Sequence, residues 1–210
     1  MIPTLYKNFQ RWCENGSICI ISDTHFDDVD CKLMDENWIE PKQHMKIIKK
    51  NIYKNDTLIH LGDVGNPDYL DELKNYKVLI TGNHDILSKV ASHFDEVYTG
   101  PLFIADRILL SHEPINGMEN FAVNIHGHDH SKSPEHTGWE KLANPKYKIK
   151  EPIPYSSANH INLAANVYDF QVFNLGKEIK KGLLANVSNY HRLTIDKASI
   201  KKENYWSKQF

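Results

Sequence analysis

Short apolar runs, each handed over to a polar cluster, recur along this chain and set narrow limits on its fold. Residues 18–22 lead into Asp23-Thr24-His25, residues 57–61 into Gly62-Asp63, and residues 78–81 into Gly82-Asn83-His84-Asp85. Residues 107–111 lead into His112, and residues 122–125, by way of His126, into Gly127-His128-Asp129-His130. Runs of this length rich in Ile, Leu and Val read as buried strands. Clusters at their C-terminal ends converge at one edge of the sheet, where open α/β folds place their sites. Helical periodicity appears between the runs, with Met45, Ile48 and Ile52 on one stripe of residues 42–53, and again over 69–73 and 86–94. Strands alternating with helices predict a layered α/β architecture. The later runs 121–126, 161–165 and 167–172 lack intervening helices, which adds a second sheet of partly antiparallel character.

At 210 residues the chain suits one domain over 1–210, since two halves would each be marginal. Residues 131–160 carry four prolines with Trp139, Tyr147 and Tyr155 and no periodicity, and read as a loop insertion. Residues 185–210 read as a C-terminal extension, and the lysines over 177–208 as a solvated face. A net charge of -2 gives no global field for gripping nucleic acid. Cys13, Cys19 and Cys31 form no Cys-x-x-Cys pair and no disulfide framework. The first ten residues lack a signal-peptide core, and no apolar run nears the roughly 20 residues that cross a bilayer. The expectation is a soluble cytoplasmic protein without a membrane partner.

The clusters supply carboxylates, imidazoles and one amide. In Asp23-Thr24-His25 the carboxylate and imidazole fall on alternate residues, which an extended chain points the same way, so both reach one ion. His128-Asp129-His130 repeats the spacing, and if its backbone turns, the two imidazoles reach different ions. Asp63 follows a glycine that permits a tight turn, and its carboxylate can give an oxygen to each of two metals. Asn83 adds a neutral oxygen that limits the negative charge and keeps the ions Lewis acidic. Nitrogen and oxygen donors without sulfur suit manganese, iron, zinc, nickel or cobalt. Two such ions about 3.5–4 Å apart lower the pKa of a water and clamp phosphoryl oxygens through an in-line displacement, which points to hydrolysis at phosphorus.

Each cluster taken singly has a bland reading. An isolated Gly-Asp is a turn, Asn83 or Asp85 serves a turn or helix cap, and Gly-His-x-His is a turn with exposed histidines. The conjunction of all five, in order and each after a strand, is what favours a dinuclear site. The other histidines keep the bland reading. His60 and His126 belong to the core or orient ligands, and His44, His93, His136, His160 and His191 are surface or structural.

The series Asp-x-His, Gly-Asp, Gly-Asn-His-Asp, His and Gly-His-x-His resembles the calcineurin-like metallophosphoesterases. Ile21-Ser22-Asp23-Thr24-His25-Phe26 and Ile59-His60-Leu61-Gly62-Asp63-Val64 look most like the small bacterial and phage members. The resemblance covers residues 18–130, and residues 161–179 are similar to the family's closing strand and helix. It implies an α/β (α+β) fold, a four-layer sandwich of two mixed β-sheets flanked by helices. It further implies one metal on Asp23, His25, Asp63 and His130 and another on Asp63, Asn83, His112 and His128. His84 becomes a catalytic group near the phosphate and the leaving oxygen, with Asp85 tuning it, as suits an imidazole the metals leave unused. The expected activity is that of a phosphodiesterase with two divalent ions, manganese first among them, acting on a small-molecule phosphoester through an activated hydroxide. The alternatives are a nuclease on DNA or RNA, which would need a basic, aromatic-lined groove, and a non-catalytic metal-binding scaffold, against which His84 argues. The chain departs from many members in two ways. No arginine follows Gly62-Asp63 closely, and residues 131–160 exceed the few residues that often join Gly-His-x-His to the next strand.

Overall fold

The computed structural model describes residues 2, 5–104, 107–118, 120–131 and 159–187. Its first sheet holds β1 (Ile18–Ile21), β2 (Thr57–His60), β3 (Tyr76–Ile80), β4 (Glu96–Tyr98) and β9 (Phe173–Asn174), in the order β4-β3-β2-β1-β9. All pairs are parallel except β1 with β9. The second sheet runs β5 (Leu102–Ile104), β6 (Ile108–Leu110), β7 (Val123–His126), β8 (His160–Asn162), with only β5 antiparallel to its neighbour. Both sheets are mixed, as expected.

The period of two along each strand decides how the layers stack. Ile18 and Ile20, Ile59 and Leu61, and Val78 and Ile80 share one core cluster with Leu102, Ile104, Ile108, Leu110, Val123 and Ile125, so the two sheets pack face to face. The intervening Cys19, Ile21, Leu58 and Leu79 point the other way, into a second cluster with Met45, Ile48 and Ile52. That stripe belongs to the helix Pro41–Asn51 and its C-cap, and Pro41 starts the helix with its φ already set. Burying each such side chain stabilises the fold by about 1.5–3 kcal/mol.

Smaller elements complete the layers. A helix Tyr6–Cys13 brings Trp12 into the core between the sheets, and a helix Leu175–Lys180 adds Leu175. The periodicity over 69–73 and 86–94 appears as a 3-10 helix Pro67–Glu72, a short helix Leu87–Val90 and a 3-10 turn Ala91–His93. The run 167–172, read as a strand, is instead a series of turns. Val167 and Tyr168 N–H both bond to Ala164 O, and Phe170 N–H bonds to Ala165 O. Asp169 and Phe170 have φ of 50° and 58°, which no strand accommodates. Nearly all of the 131–160 insertion and most of the 185–210 extension lie outside the described residues, as do His136 and His191. Among the described residues, no helix is long and apolar enough to cross a membrane.

Candidate metal centre

The strands release their motifs through left-handed backbone. Asp23, His25, Asp63 and His128 have φ of 51°, 41°, 55° and 65°. The Asp23-Thr24-His25 segment is therefore not extended as its spacing suggested, and what aims both side chains is a pair of interlaced loops. Asp23 N–H bonds to Gly62 O at 2.9 Å, His25 N–H to Asp63 O at 3.0 Å, and Phe26 N–H to Val64 O at 3.0 Å. His60 ties the loops together from below, fully buried. Its Nδ1 accepts from Gly62 N–H at 3.1 Å, so Nε2 carries the proton and donates to Thr24 Oγ1 at 2.9 Å. Thr24 Oγ1 in turn donates to Val64 O at 2.8 Å. Burial pushes the His60 pKa down to about 3, which keeps this tautomer neutral.

Two motif glycines are required by close approach. A Cβ on Gly82 would lie 2.2 Å from Asp63 Oδ1, and one on Gly127 would lie 1.9 Å from Asp23 Oδ2. The glycines thus let two backbone turns pack directly on the two buried carboxylates.

The side chains gather into two donor groups. Asp23, His25 and His130 form one, and Asp63, His112 and His128 the other, each with its ligand atoms within 4.8 Å of one another. His25 Nδ1 donates to Asp28 Oδ2 at 3.0 Å, which leaves Nε2 facing Asp63 Oδ2 at 3.8 Å. His130 Nδ1 donates to Asn166 Oδ1 at 2.8 Å and presents Nε2 to Asp23 Oδ1 at 3.6 Å. His112 Nδ1 donates to Leu61 O at 2.8 Å and presents Nε2 to Asp63 Oδ2 at 3.3 Å. Each of these rings is fixed by an acceptor at Nδ1 and aims its other nitrogen inward, the arrangement that prepares an imidazole to bind a metal. His128 offers Nδ1 instead, 3.2 Å from His112 Nε2, and its turned backbone sends it to a different group from His130.

The Asp63 carboxylate is divided between two tasks. Oδ1 accepts from His84 N–H at 2.9 Å, while Oδ2 faces both His25 and His112. Burial alone would raise its pKa, yet His112 beside it and the His84 amide hold the carboxyl well below the usual range. For His112, burial is outweighed by Asp63 and Asp23, which carry its pKa up to about 9. Burial lowers the pKa of His25 and of His128.

The Gly-Asn-His-Asp motif spreads over three roles. Asn83 Oδ1 lies 2.9 Å from His112 Nε2, beside the second donor group. His84 is exposed, with its ring 5.6 Å from that of His25. Asp85 accepts from three backbone N–H groups, those of Gly82 at 2.8 Å, Val64 at 2.9 Å and Asp63 at 3.0 Å. None of its hydrogen bonds goes to the His84 ring, so it fixes the loop under Asp63. Sequence reasoning missed Asp28 and Asn166, which orient His25 and His130. Asp28 stands three residues past His25, a spacing open to inspection, whereas Asn166 is 36 residues from His130 and carried no signal.

Residues 17–145 match the model of the calcineurin-like phosphoesterase superfamily domain. The chain belongs to that superfamily. Family and donor groups together support a metal-dependent phosphoesterase in kind. The fold is similar to the crystal structure of a protein of unknown function from Aquifex aeolicus, with a TM-score of 0.57 and 22% identity, over 79% of this chain and 98% of that one. A comparison with curated proteins gives no match.

Proposed function

We propose that this superfamily member is a phosphodiesterase that works with two divalent ions, manganese first among them, on a small-molecule phosphoester in the cytoplasm. The observation that carries the reading is the position of Asp63 Oδ2, 3.8 Å from His25 Nε2 and 3.3 Å from His112 Nε2, so that one buried oxygen stands between two donor groups. The residues fit cations on the chemistry of their free atoms. His25 Nε2 is buried and makes no hydrogen bond. His112 Nε2 faces Asp63 Oδ2, Asn83 Oδ1 and His128 Nδ1, and the pKa carried up to about 9 means that a proton supplies the positive charge at that point when no ion does. A divalent ion bound there would take the place of that proton.

Asp23, His25, Asp63 and His130 would hold one ion, and Asp63, Asn83, His112 and His128 the other. Asp63, with Oδ1 held by the His84 amide and Oδ2 facing both donor groups, is the residue that would serve both ions. Bound there, two divalent ions would supply Lewis acidity to the phosphoryl oxygens and lower the pKa of water toward neutrality. Asn83 keeps the second set less negative. His84, exposed and anchored to Asp63 through its own N–H, is placed to give a proton to the departing alkoxide or to hold a phosphoryl oxygen. Asp85 acts as a positioning residue, since its three backbone bonds set the turn that carries His84. The cytoplasmic assignment is supported by Cys13, Cys19 and Cys31, all free thiols.

Metal content and hydrolysis of bis(p-nitrophenyl) phosphate test the reading together. We expect about two ions per chain, loss of hydrolysis in chelator and its return with manganese. Full activity in metal-stripped protein with excess chelator would exclude it.

A further inference from the structure

Beside the metal centre lies a cavity of about 210 Å³ whose lining includes Thr24 and His25 of the first motif and residues from 26 to 44. Phe26 and Trp38 supply aromatic walls, and Asp27, Asp28 and Glu40 supply carboxylates. Resting on the phosphodiesterase reading above, we infer that this cavity receives the alcohol portion of the ester that stays on phosphorus, and that it selects an alcohol bearing an ammonium group, an amino alcohol.

The charge balance of the lining gives the first support. Asp27 accepts from Asn66 Nδ2 at 2.8 Å and from Tyr69 OH at 3.0 Å, both neutral donors. Asp28 accepts from His25 Nδ1 at 3.0 Å and from Asp30 N–H at 2.9 Å. Only Glu40 meets a lysine in the lining, Lys32 at 3.5 Å. The lining therefore keeps an excess of negative charge, which repels a second phosphate or a carboxylate and attracts a cation. Hydrogen bonds hold Asp27 and Asp28 in place before any ligand arrives, so little ordering remains to be done on binding.

His44 gives independent support. Its side chain is 2% exposed, lines the cavity, and lies between the rings of Phe26 at 5.6 Å and Phe170 at 5.3 Å. Among the described residues no hydrogen bond reaches either ring nitrogen, an unusual state for an imidazole so little exposed. Burial pushes its pKa down to about 4, so it presents a lone pair instead of a repelling charge. A lone pair, aromatic faces and carboxylates around one small space are complementary to an ammonium group. Trp38 joins the cavity to the metal ligands, its ring 5.9 Å from that of His25 and 5.6 Å from that of His130.

Two esters with the same p-nitrophenolate leaving group test this in the manganese-loaded full chain. They are p-nitrophenyl 2-aminoethyl phosphate and p-nitrophenyl propyl phosphate, which differ by an ammonium against a methyl group. We expect kcat/KM to favour the aminoethyl ester by about tenfold. Asp27→Asn and His44→Phe should each bring that ratio toward one. Asp27 is exposed and meets only neutral donors, and asparagine accepts its left-handed backbone, so the first variant keeps the test informative should the second fail to fold. Equal rates on the two esters, or a ratio untouched by Asp27→Asn, would overturn the assignment of the cavity. Absence of hydrolysis of bis(p-nitrophenyl) phosphate as well would instead overturn the phosphodiesterase reading beneath it.

Discussion

Asp23, His25, Asp63 and His128 hold left-handed backbone, a conformation that costs about 1–3 kcal/mol at each residue other than glycine. The interlaced hydrogen bonds of the first two motif loops, braced by His60 and Asp85, hold that strain in place. The residue types of the centre were legible because Asp, His and Asn stand in recognisable clusters. Their dihedral angles were not, since the same alternation of Asp and His fits an extended chain. Close approach gives a test at this scale. Alanine at position 82 would drive its Cβ into Asp63 Oδ1, so Gly82→Ala should displace the Asp63 carboxylate and lose most of the bound metal while the far-ultraviolet circular dichroism stays native. His84→Ala should do the reverse, keeping about two ions per chain and losing turnover by about 10²–10⁴, the range of a positioned general acid. Full metal content in Gly82→Ala, or unchanged turnover of an ester with a poor leaving group in His84→Ala, would contradict these roles.

The elements that sequence reasoning recovered are those whose burial pattern is local. Each of β1, β2, β3, β6 and β7 overlaps an apolar run, and the stripe Met45, Ile48, Ile52 marks its helix. The helix Tyr6–Cys13 escaped because eight residues make a marginal helix alone and its support is tertiary. That support centres on Glu96 of β4. Its Oε1 accepts from Trp12 Nε1 at 2.9 Å and Tyr76 OH at 2.8 Å, its Oε2 accepts from Asn8 Nδ2 at 2.9 Å, and Arg11 and Tyr98 complete the cluster. Burial would raise the Glu96 pKa, but the donors from Tyr98, Trp12, Tyr76 and Asn8 bring it down to about 2 from an ordinary 4.5. A depressed carboxyl stabilises the fold fully above its unfolded value and loses that contribution as pH falls through its folded one. With the carboxylate partly open to solvent screening, Glu96→Gln should cost about 1 kcal/mol at neutral pH, by urea unfolding of both proteins in chelator, with the gap closing between pH 4.5 and about 2. A gap that stays constant over that window would show that the charge of Glu96 does not anchor the helix.

On the scale of the whole molecule, the proposed centre joins the two sheets. Asp23, His25, Asp63 and Asn83 follow strands of the first sheet, whereas His112, His128 and His130 follow β6 and β7 of the second. Each ion would thus take ligands from both sheets, adding to the apolar core a link at its polar end. The conjunction of motifs made this convergence legible in the sequence, but the pairing of sheets behind it depends on long-range register that no local pattern encodes. Because an ion that binds only the folded chain stabilises it by mass action, manganese at about 100 times its dissociation constant should add about 2.7 kcal/mol per site. For a chain of this size that raises the unfolding midpoint by roughly 5–10 °C for one site. Thermal scans in manganese and in chelator measure the shift. We expect a single transition in both, as one core shared by the two sheets requires. His128→Ala, lacking one ligand from the second sheet, should show a smaller rise. A midpoint that does not move while two ions are bound would mean that the centre does not couple the sheets, and a scan resolving two transitions would mean that they do not unfold as one domain.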